Sequence, residues 1–176
     1  MIEFIIGGSG SGKSDFAENL LSQSKKKKKY YLATMQVYDK EGQKKVERHI
    51  RRRAGKGFST IERTTNIESA LSEMEDQKNS AVLIECMSNL VANEMFGKNQ
   101  IIGKEQVIKK ILEGIDEIES QGVELLIVSN NIFEDGIVYD EGTKEYMDAL
   151  GKINCALAKK AKHVYEIVVG ICVCLK

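Results

Sequence analysis

The sequence lacks proline and tryptophan altogether, and only two of its 176 residues are histidines. Without proline, the breaks between elements must come from glycine, asparagine, aspartate and serine. Long apolar runs are also missing, because none approaches the roughly 20 residues that a membrane-spanning helix needs. The first residues enter an apolar stretch directly, without a basic segment or a small-residue cleavage site. We therefore expect a cytoplasmic protein without a membrane span.

The chain also has no net charge, because 26 Lys and Arg residues balance 26 Asp and Glu residues. No overall field draws the chain to nucleic acid or to an anionic membrane, and we expect neither as a partner. Any anion binding must therefore be local. The cysteines form no CxxC pair and no zinc-ligand spacing with a histidine. We expect all four to be buried as small hydrophobic residues: Cys86, Cys155, Cys172 and Cys174.

The length of 176 residues and the hydrophobic content of 42% are typical of one globular domain, which we expect to span residues 1–176. Short apolar runs rich in β-branched residues alternate with segments of helical periodicity. This alternation predicts an α/β fold around a mostly parallel sheet. The predicted strands are Ile2–Ile6, Tyr30–Thr34, Ser59–Arg63, Ala81–Cys86, Leu125–Ser129, Val164–Val169 and Ile171–Leu175.

The ends of these elements are marked by glycine and by charge. The last two predicted strands flank Gly170, which predicts an antiparallel pair at the sheet edge at the C-terminus. Apolar spacing predicts helices over Ser14–Ser22, 107–118 and 147–161. The charge run Lys25–Lys29 is predicted to be a solvated turn before the second strand.

The strongest motif follows the first predicted strand. Gly7, Gly12, Lys13 and Ser14 match the pattern G-x-x-x-x-G-K-[ST] between an apolar strand and an amphipathic helix. Glycines let backbone N–H groups converge on a phosphate, and the helix N-terminus adds its positive dipole end. The pattern therefore predicts a three-layer P-loop NTPase-type fold, with Lys13 as a catalytic residue on the β- and γ-phosphates and Ser14 as a Mg²⁺ ligand. The predicted nucleotide contacts in the loop are Gly8, Ser9, Gly10, Ser11, Gly12, Lys13 and Ser14.

Two other interpretations of this loop are weaker. A flexible Gly/Ser turn would need neither the strand before it nor the helix after it. A dinucleotide fingerprint counted from Gly8 would place its third glycine at Lys13. Glu85 is a second candidate for the metal site, because it ends the fourth predicted strand at the edge where open α/β sheets bind ligands.

A basic stretch around His49 concentrates positive charge in a neutral chain. If it is helical, His49, Arg52 and Arg53 share one face. Arginines make bidentate contacts with phosphates, and a neutral imidazole can attack phosphorus. The pattern alone favours the alternative, an exposed basic helix whose histidine has no role. The second histidine, His163, precedes a predicted strand and is predicted to have a packing or surface role.

Further motifs follow along nearly the whole chain. They are Tyr31-Leu32-Ala33-Thr34-Met35-Gln36 with Asp39, Val46-Glu47-Arg48-His49 through Arg53, Thr60-Ile61-Glu62, Leu83 to Leu90, Ser129-Asn130, Gly136-Ile137-Val138 and Gly151-Lys152-Ile153-Asn154. With the phosphate loop, their order and spacing resemble the bifunctional adenosylcobinamide kinase/adenosylcobinamide-phosphate guanylyltransferase family of cobalamin biosynthesis.

The resemblance implies two reactions. The chain would use ATP or GTP to phosphorylate the aminopropanol arm of adenosylcobinamide, and would then transfer GMP from GTP onto the adenosylcobinamide phosphate. The second step passes through a guanylylated histidine in the family, and by alignment that catalytic residue is His49. The resemblance also implies a homotrimer. The nucleotide contacts that it implies outside the loop are Ala33, Thr34, Met35, Ile50, Arg51, Arg52, Arg53, Glu62 and Glu85.

The main departure from the family pattern is at Asn131, and two alternatives to the resemblance are open. Family members carry Asn-Glu-Val-Gly where this chain has Asn130-Asn131-Ile132-Phe133, so a carboxylate near the corrinoid or metal site is replaced by an amide. A generic P-loop small-molecule kinase would use Arg51–Arg53 as a lid on the phosphates, and His49 would be incidental. A nucleotide-binding regulatory module would bind the nucleotide without acting on cobinamide.

Overall fold

The computed structural model describes residues 1–36, 55–97, 102–133 and 136–176. Seven strands and four α-helices are seen in these ranges, with two short 3₁₀ helices at Ile67–Glu73 and Gln77–Asn79. In chain order the elements are β1 (Ile2–Gly7), α1 (Lys13–Gln23), β2 (Lys28–Ala33), β3 (Ser59–Glu62), β4 (Ser80–Glu85), α2 (Met87–Met95), α3 (Lys104–Ser120), β5 (Glu124–Asn130), α4 (Glu141–Lys160), β6 (His163–Val168) and β7 (Ile171–Cys174).

The strands form one sheet in the order β3-β2-β4-β5-β1-β6-β7. Neighbouring strands from β3 to β6 run parallel, whereas β6 and β7 run antiparallel. The carboxyl ends of the parallel strands therefore meet at one edge, where the loop after β1 also lies. The predicted mostly parallel sheet with an antiparallel pair at its C-terminal edge is confirmed.

Helices cover both faces of the sheet, as a three-layer α/β fold requires. On β1, Ile2 and Phe4 join the core that packs against α2, α3 and α4, while Ile5 beside them joins the core under α1. This alternation follows from the two-residue period of a strand, because both faces of a parallel sheet are buried. The crossover helix α1 contributes Ala17 and Leu21 to the smaller core.

Three details differ from the sequence-based expectations. The first is α2, a nine-residue helix that no predicted helix covers. The second is the charge run, because Lys28 and Lys29 already belong to β2. The third is the cysteines, because Cys86 is only partly buried and the other three are exposed: Cys155, Cys172 and Cys174.

None of the helices in the described ranges is both long and apolar enough to cross a bilayer. His163 begins β6 at the sheet edge opposite the phosphate loop, and its Nδ1 lies 3.0 Å from a carboxylate oxygen of Glu3. This placement agrees with the packing or surface role that the sequence predicts.

Candidate nucleotide-binding site

The loop between β1 and α1 has a backbone that only glycine adopts readily. Gly10 and Gly12 have φ values of 74° and 96°, in the left-handed region. The loop folds back on itself, since the Ser11 N–H donates to the Gly8 carbonyl at 3.2 Å. It leads into the first turn of α1, whose N–H groups and dipole favour an anion. The predicted phosphate-binding geometry is therefore built by the backbone itself.

Lys13 lies inside this loop and is only 6% exposed. Its Nζ donates to the Gly8 carbonyl at 2.6 Å. Burial lowers the pKa of Lys13, and the nearby Cys86 and Glu85 partly oppose that shift. The ammonium is thus held in a site with little water, where an anionic phosphate would be a stronger partner than a carbonyl.

Ser14 and Glu85 meet at the neighbouring position. The Ser14 hydroxyl donates to Glu85 Oε1, while Glu85 Oε2 is buried and has no hydrogen-bond partner among the described residues. Hydroxyl and carboxylate oxygens are the ligands that Mg²⁺ prefers, and Mg²⁺ commonly takes one or two from the protein and the rest from phosphates and water. Ser14 and Glu85 would supply two such ligands. The described residues contain no cluster of three or more His, Cys, Asp or Glu side chains that could hold a metal ion. The free Glu85 oxygen is the observation that favours a bound cation.

The end of β2 brings two more predicted residues to Glu85. Ala33 is the register partner of Glu85, and the Thr34 N–H donates to the Glu85 carbonyl at 3.0 Å. Thr34 is fully buried, and its hydroxyl donates to the Cys86 carbonyl at 2.8 Å. Met35 follows as a half-buried residue. The structure thus places Ala33 and Thr34 beside the predicted metal site.

Glu62 is not brought to the phosphate loop. It is exposed at the end of β3, four strand positions from β1. At the usual strand spacing this is about 19 Å. Glu62 shares the carboxyl edge of the sheet with the other predicted residues, but a nucleotide whose phosphates occupy the loop would have to be extended to reach it.

A polar network behind the loop involves residues of the sequence motifs that had no assigned role. The Asn130 side-chain amide donates to Ser88 Oγ at 2.7 Å, and Ser88 Oγ lies 3.0 Å from Cys86 Sγ. The Tyr146 hydroxyl donates to the Ser88 carbonyl at 3.2 Å. Burial raises the pKa of the Cys86 thiol and raises the pKa of Tyr146 to about 12. Both groups therefore stay neutral at physiological pH, and the network supports the strand ends rather than supplying a nucleophile.

A cavity of 860 Å³ opens on the other side of the loop. Its walls are the outer side of the loop, the connection after β5, the first turns of α4 and the end of β6. The lining residues with polar side chains are Ser9, Ser11, Asn131, Tyr139, Thr143, Tyr146 and Glu166. Composition and periodicity gave no signal for Glu166, since one acid in a β-branched strand is common.

The basic stretch lies outside the described residues. This applies to His49 and to the predicted nucleotide contacts Ile50, Arg51, Arg52 and Arg53. Described residues lie on each side of it. Thr34 follows β2 and contacts Glu85, and Lys56 Nζ pairs with the buried Glu18 of α1 at 2.6 Å.

Comparisons with known proteins agree with this geometry. The family model described as cobinamide kinase/cobinamide phosphate guanyltransferase matches residues 3–175. The bifunctional adenosylcobalamin biosynthesis protein CobU of Escherichia coli is 26% identical over 185 residues, covering 100% of both chains. The corresponding CobU of Salmonella typhimurium is 25% identical with the same coverage. CobP of Pseudomonas aeruginosa is 26% identical over 178 residues, covering 100% of this chain and 98% of the relative.

Solved structures show the same fold. The flagellar accessory protein FlaH from Methanocaldococcus jannaschii has a TM-score of 0.52 at 12% identity, covering 99% of this chain and 77% of that one. A second solved structure, an ATPase domain, has a TM-score of 0.55 at 12% identity, covering 94% of this chain and 68% of that one. At this identity the likeness concerns the fold alone. Because the family model spans nearly the whole chain and the phosphate loop is built as its motif requires, the chain belongs to the cobinamide kinase/cobinamide phosphate guanyltransferase family of cobalamin biosynthesis enzymes.

Proposed function

We propose that both family reactions, phosphorylation of adenosylcobinamide and transfer of GMP from GTP onto its phosphate, take place at the loop formed by Gly8, Ser9, Gly10, Ser11, Gly12, Lys13 and Ser14. One observation carries this proposal. Lys13 is buried inside a glycine loop at a helix N-terminus, and its ammonium donates to a carbonyl of the same loop. A buried cation with such a partner favours an anionic ligand.

In the kinase step, the loop N–H groups hold the β- and γ-phosphates of ATP or GTP. Lys13 exchanges the Gly8 carbonyl for phosphate oxygens and stabilises the charge that develops there. The hydroxyl oxygen of the aminopropanol arm attacks the γ-phosphorus. The bond between the γ-phosphorus and the bridging oxygen breaks, the nucleoside diphosphate leaves, and the hydroxyl loses its proton.

Ser14 and Glu85 are proposed to hold Mg²⁺. The unpartnered Glu85 oxygen and the adjacent Ser14 hydroxyl support this assignment. Ala33 and Thr34 fix the backbone of Glu85 and so orient its carboxylate. When bound, Mg²⁺ would neutralise phosphate charge and align the transferred group.

In the guanylyl transfer step, His49 is the proposed nucleophile. Its imidazole attacks the α-phosphorus of GTP and releases pyrophosphate, and the adenosylcobinamide phosphate then displaces GMP from the ring. Two displacements at one histidine avoid the direct approach of two anions. The arginines at 51–53 are proposed to bind the phosphates. Support comes from the sequence motif and from the described residues on each side of the stretch, because Thr34 contacts Glu85 and Lys56 pairs with Glu18 of α1.

Intact-mass measurement after incubation with GTP and Mg²⁺ tests the covalent step. The wild type should gain the mass of one GMP, through a bond that is acid-labile and base-stable. His49→Ala should lose this adduct and the guanylyl transfer, but should keep the phosphorylation of adenosylcobinamide. A His49→Ala protein that still transfers GMP would exclude His49 as the nucleophile. A wild type that phosphorylates adenosylcobinamide but never carries GMP would instead favour a small-molecule kinase.

Three further points belong to this proposal. One domain of residues 1–176 carries both activities, the protein forms a homotrimer, and it works in the cytoplasm. The resemblance to the family supports the trimer. Exposed apolar residues on the edge strand β7 add a physical reason for association, since unpaired sheet edges favour contact with other chains.

A further inference from the structure

The strand β5 lies between β1, which leads into the phosphate loop, and β4, which ends at Glu85. The last residue of β5 is Asn130, the register partner of Gly7. Neighbouring strands are about 4.8 Å apart, so Asn130 lies beside the start of the loop. The Nζ of Lys13 contacts the carbonyl of Gly8, one residue after Gly7. Asn130 is therefore on the strand between the ammonium of the loop and the carboxylate of the proposed metal site.

The side chain of Asn130 is on the face of the sheet that α1 covers. Side chains alternate along a strand, and Leu126 and Val128 of β5 both pack in the core under α1. Glu85 shares this face by the same alternation, because Leu83 of β4 belongs to the same core. The side chains at the ends of β4 and β5 and the start of α1 thus surround the space in which the γ-phosphate would lie.

The nitrogen of the Asn130 amide already has partners. It donates to Ser88 Oγ at 2.7 Å and lies 3.9 Å from Cys86 Sγ. Ser88 is in the first turn of α2, and its carbonyl accepts from the Tyr146 hydroxyl at 3.2 Å. The Asn130 amide oxygen accepts no hydrogen bond in the described part of the chain, and it is not one of the buried unpartnered atoms found there. The network fixes the amide and leaves its oxygen accessible to a ligand.

We propose that the Asn130 amide oxygen orients the attacking hydroxyl in the kinase step, which rests on the proposed function of the loop. It accepts a hydrogen bond from the hydroxyl of the aminopropanol arm and so directs an oxygen lone pair toward the γ-phosphorus. Phosphoryl transfer passes through a loose transition state, so the nucleophile needs positioning more than early deprotonation. A neutral amide provides this without adding negative charge beside the phosphates. Asn130 is thus a catalytic residue that contacts the acceptor.

The amide does not keep the proton of this hydroxyl. The hydroxyl oxygen forms its bond to the γ-phosphorus while the bond from that phosphorus to the bridging oxygen breaks, and the nucleoside diphosphate leaves. The proton passes to an oxygen of the transferred phosphoryl group, because an asparagine amide is too weak a base to take it. Asn130 therefore orients the hydroxyl and is unchanged by the reaction.

The guanylyl transfer has a different acceptor. In that reaction the phosphate of adenosylcobinamide phosphate attacks the GMP carried by the proposed nucleophile His49. An ionised phosphate has no hydroxyl that an amide oxygen must orient. Asn130 should therefore matter for the first reaction and not for the second.

Asn130→Ala in the full chain tests this role by a comparison of the two reactions. We expect kcat for phosphorylation of adenosylcobinamide with GTP to fall about 100-fold, because the hydroxyl is no longer aligned. The KM for GTP should stay within about threefold, since Asn130 does not hold the nucleotide. Formation of the GMP adduct, and its transfer to adenosylcobinamide phosphate supplied directly, should keep the wild-type rate. A loss confined to one reaction cannot come from misfolding, because both reactions use the same loop.

Two further variants complete the test. Ser88→Ala removes the partner of the amide nitrogen but keeps the amide oxygen, so kcat of the kinase step should fall only about 3- to 10-fold. Asn19→Ala is the matched control, because Asn19 is exposed on α1, and it should keep the wild-type kcat in both reactions.

Three results would be contrary to this expectation, and they have different meanings. A wild-type kinase rate in Asn130→Ala would overturn the role of the amide. An equal loss of both reactions would overturn it too, because Asn130 would then support the site as a whole. A wild type that forms no adenosylcobinamide phosphate would fail earlier, at the proposed function itself.

Discussion

Lys13 illustrates how a binding residue can weaken the fold that holds it. Burial lowers its pKa, which means that folding disfavours the charged ammonium. The folded state therefore binds fewer protons than the unfolded chain between the lowered pKa and the ordinary value of 10.5. Stability contributed by this site rises with pH across that window, and is least below it.

Replacing Lys13 with Met should separate binding from stability. We expect GTP affinity to fall on the order of 100-fold or more, because a desolvated charge pair with phosphate is lost. Without nucleotide, Lys13→Met should be at least as stable as the wild type at pH 7, and this advantage should shrink as the pH rises toward the ordinary lysine pKa of 10.5. Urea unfolding at several pH values and calorimetry with GTP measure the two effects. Lys109→Met, at a mostly exposed helix position, is the control that should change neither.

Glu85 should connect nucleotide affinity to magnesium. In the wild type, GTP should bind more tightly with Mg²⁺ than with a chelator, because the free carboxylate oxygen can bind the cation. Glu85→Gln should lose most of this difference, and without Mg²⁺ it should bind GTP at least as tightly as the wild type, since one negative charge near the phosphates is gone. A Glu85→Gln protein with an unchanged response to Mg²⁺ would remove this residue from the proposed metal site.

Individual site residues could be predicted from the sequence where the chemistry requires a strict spacing between them. The loop motif identifies Lys13 and Ser14 because each must reach a different part of one phosphate tail. The cysteine expectation was wrong because exposure depends on what packs against a strand or a helix. Cys172 and Cys174 lie on β7, and every residue of that edge strand is exposed. Composition cannot reveal that no other element packs against an edge strand.

Between elements, β1 and β6 leave no room for a side chain at Gly7. Gly7 ends β1 and is the register partner of Ile167, and an added Cβ there would lie 2.5 Å from the Ile167 carbonyl oxygen. Glycine at this position lets the two strands keep the spacing that positions the loop against the β6–β7 turn. Gly8, one residue later, has open space around its Cβ position.

Because Gly7 is crowded and Gly8 is not, alanine substitutions at the two positions form a matched pair. Gly7→Ala should destabilise the protein by about 1–3 kcal/mol, because a backbone oxygen cannot move aside as a flexible side chain can. Gly8→Ala should change the free energy of unfolding by less than about 0.5 kcal/mol, as is usual away from such contacts. Urea unfolding without nucleotide measures both. If the two substitutions change the free energy of unfolding equally, β6 must shift to accommodate the methyl group at position 7 at little cost.

The elements themselves were largely predictable. Strand boundaries differ from the prediction by one or two residues, whereas α3 and α4 begin three and six residues earlier than predicted. Each predicted strand is present, and the central parallel strands are the clearest because strands buried on both faces require continuous apolar runs. Helix α2 was missed although five of its six buried residues have helical spacing: Met87, Leu90, Val91, Glu94 and Met95. With nine residues directly after β4, it is too short for the periodicity to stand out from the strand before it.

The arrangement of the whole molecule decides which residues share the site. The sheet order places β4, β5, β1 and β6 side by side, so residues from positions 7–14, 85, 130 and 166 meet at one edge. Sequence patterns identify strands but not their neighbours, since strand order depends on long-range packing. The position of Glu85 at the end of a predicted strand identified it from the sequence, whereas the cavity beside the loop, which Glu166 lines, required the strand order.

The same sheet order leaves β7 at one edge with apolar side chains in solvent. Ile171 is 65% exposed and Leu175 58% exposed, and the outer backbone groups of β7 pair with no strand among the described residues. An exposed apolar edge of this kind favours association with another chain. If β7 forms the contact of the proposed homotrimer, light scattering should give about three times the chain mass of 19.7 kDa.

Ile171→Lys tests that contact directly. A lysine on the edge strand should shift the protein toward monomer, because burying its charge at a subunit contact is unfavourable. Val138→Lys is the control, since Val138 is 91% exposed on the connection before α4 and should keep the wild-type mass. A trimer that survives Ile171→Lys but dissociates with Val138→Lys would move the subunit contact to that connection, which borders the cavity beside the loop at Tyr139. In that case nucleotide affinity should depend on protein concentration, because assembly would complete the cavity wall.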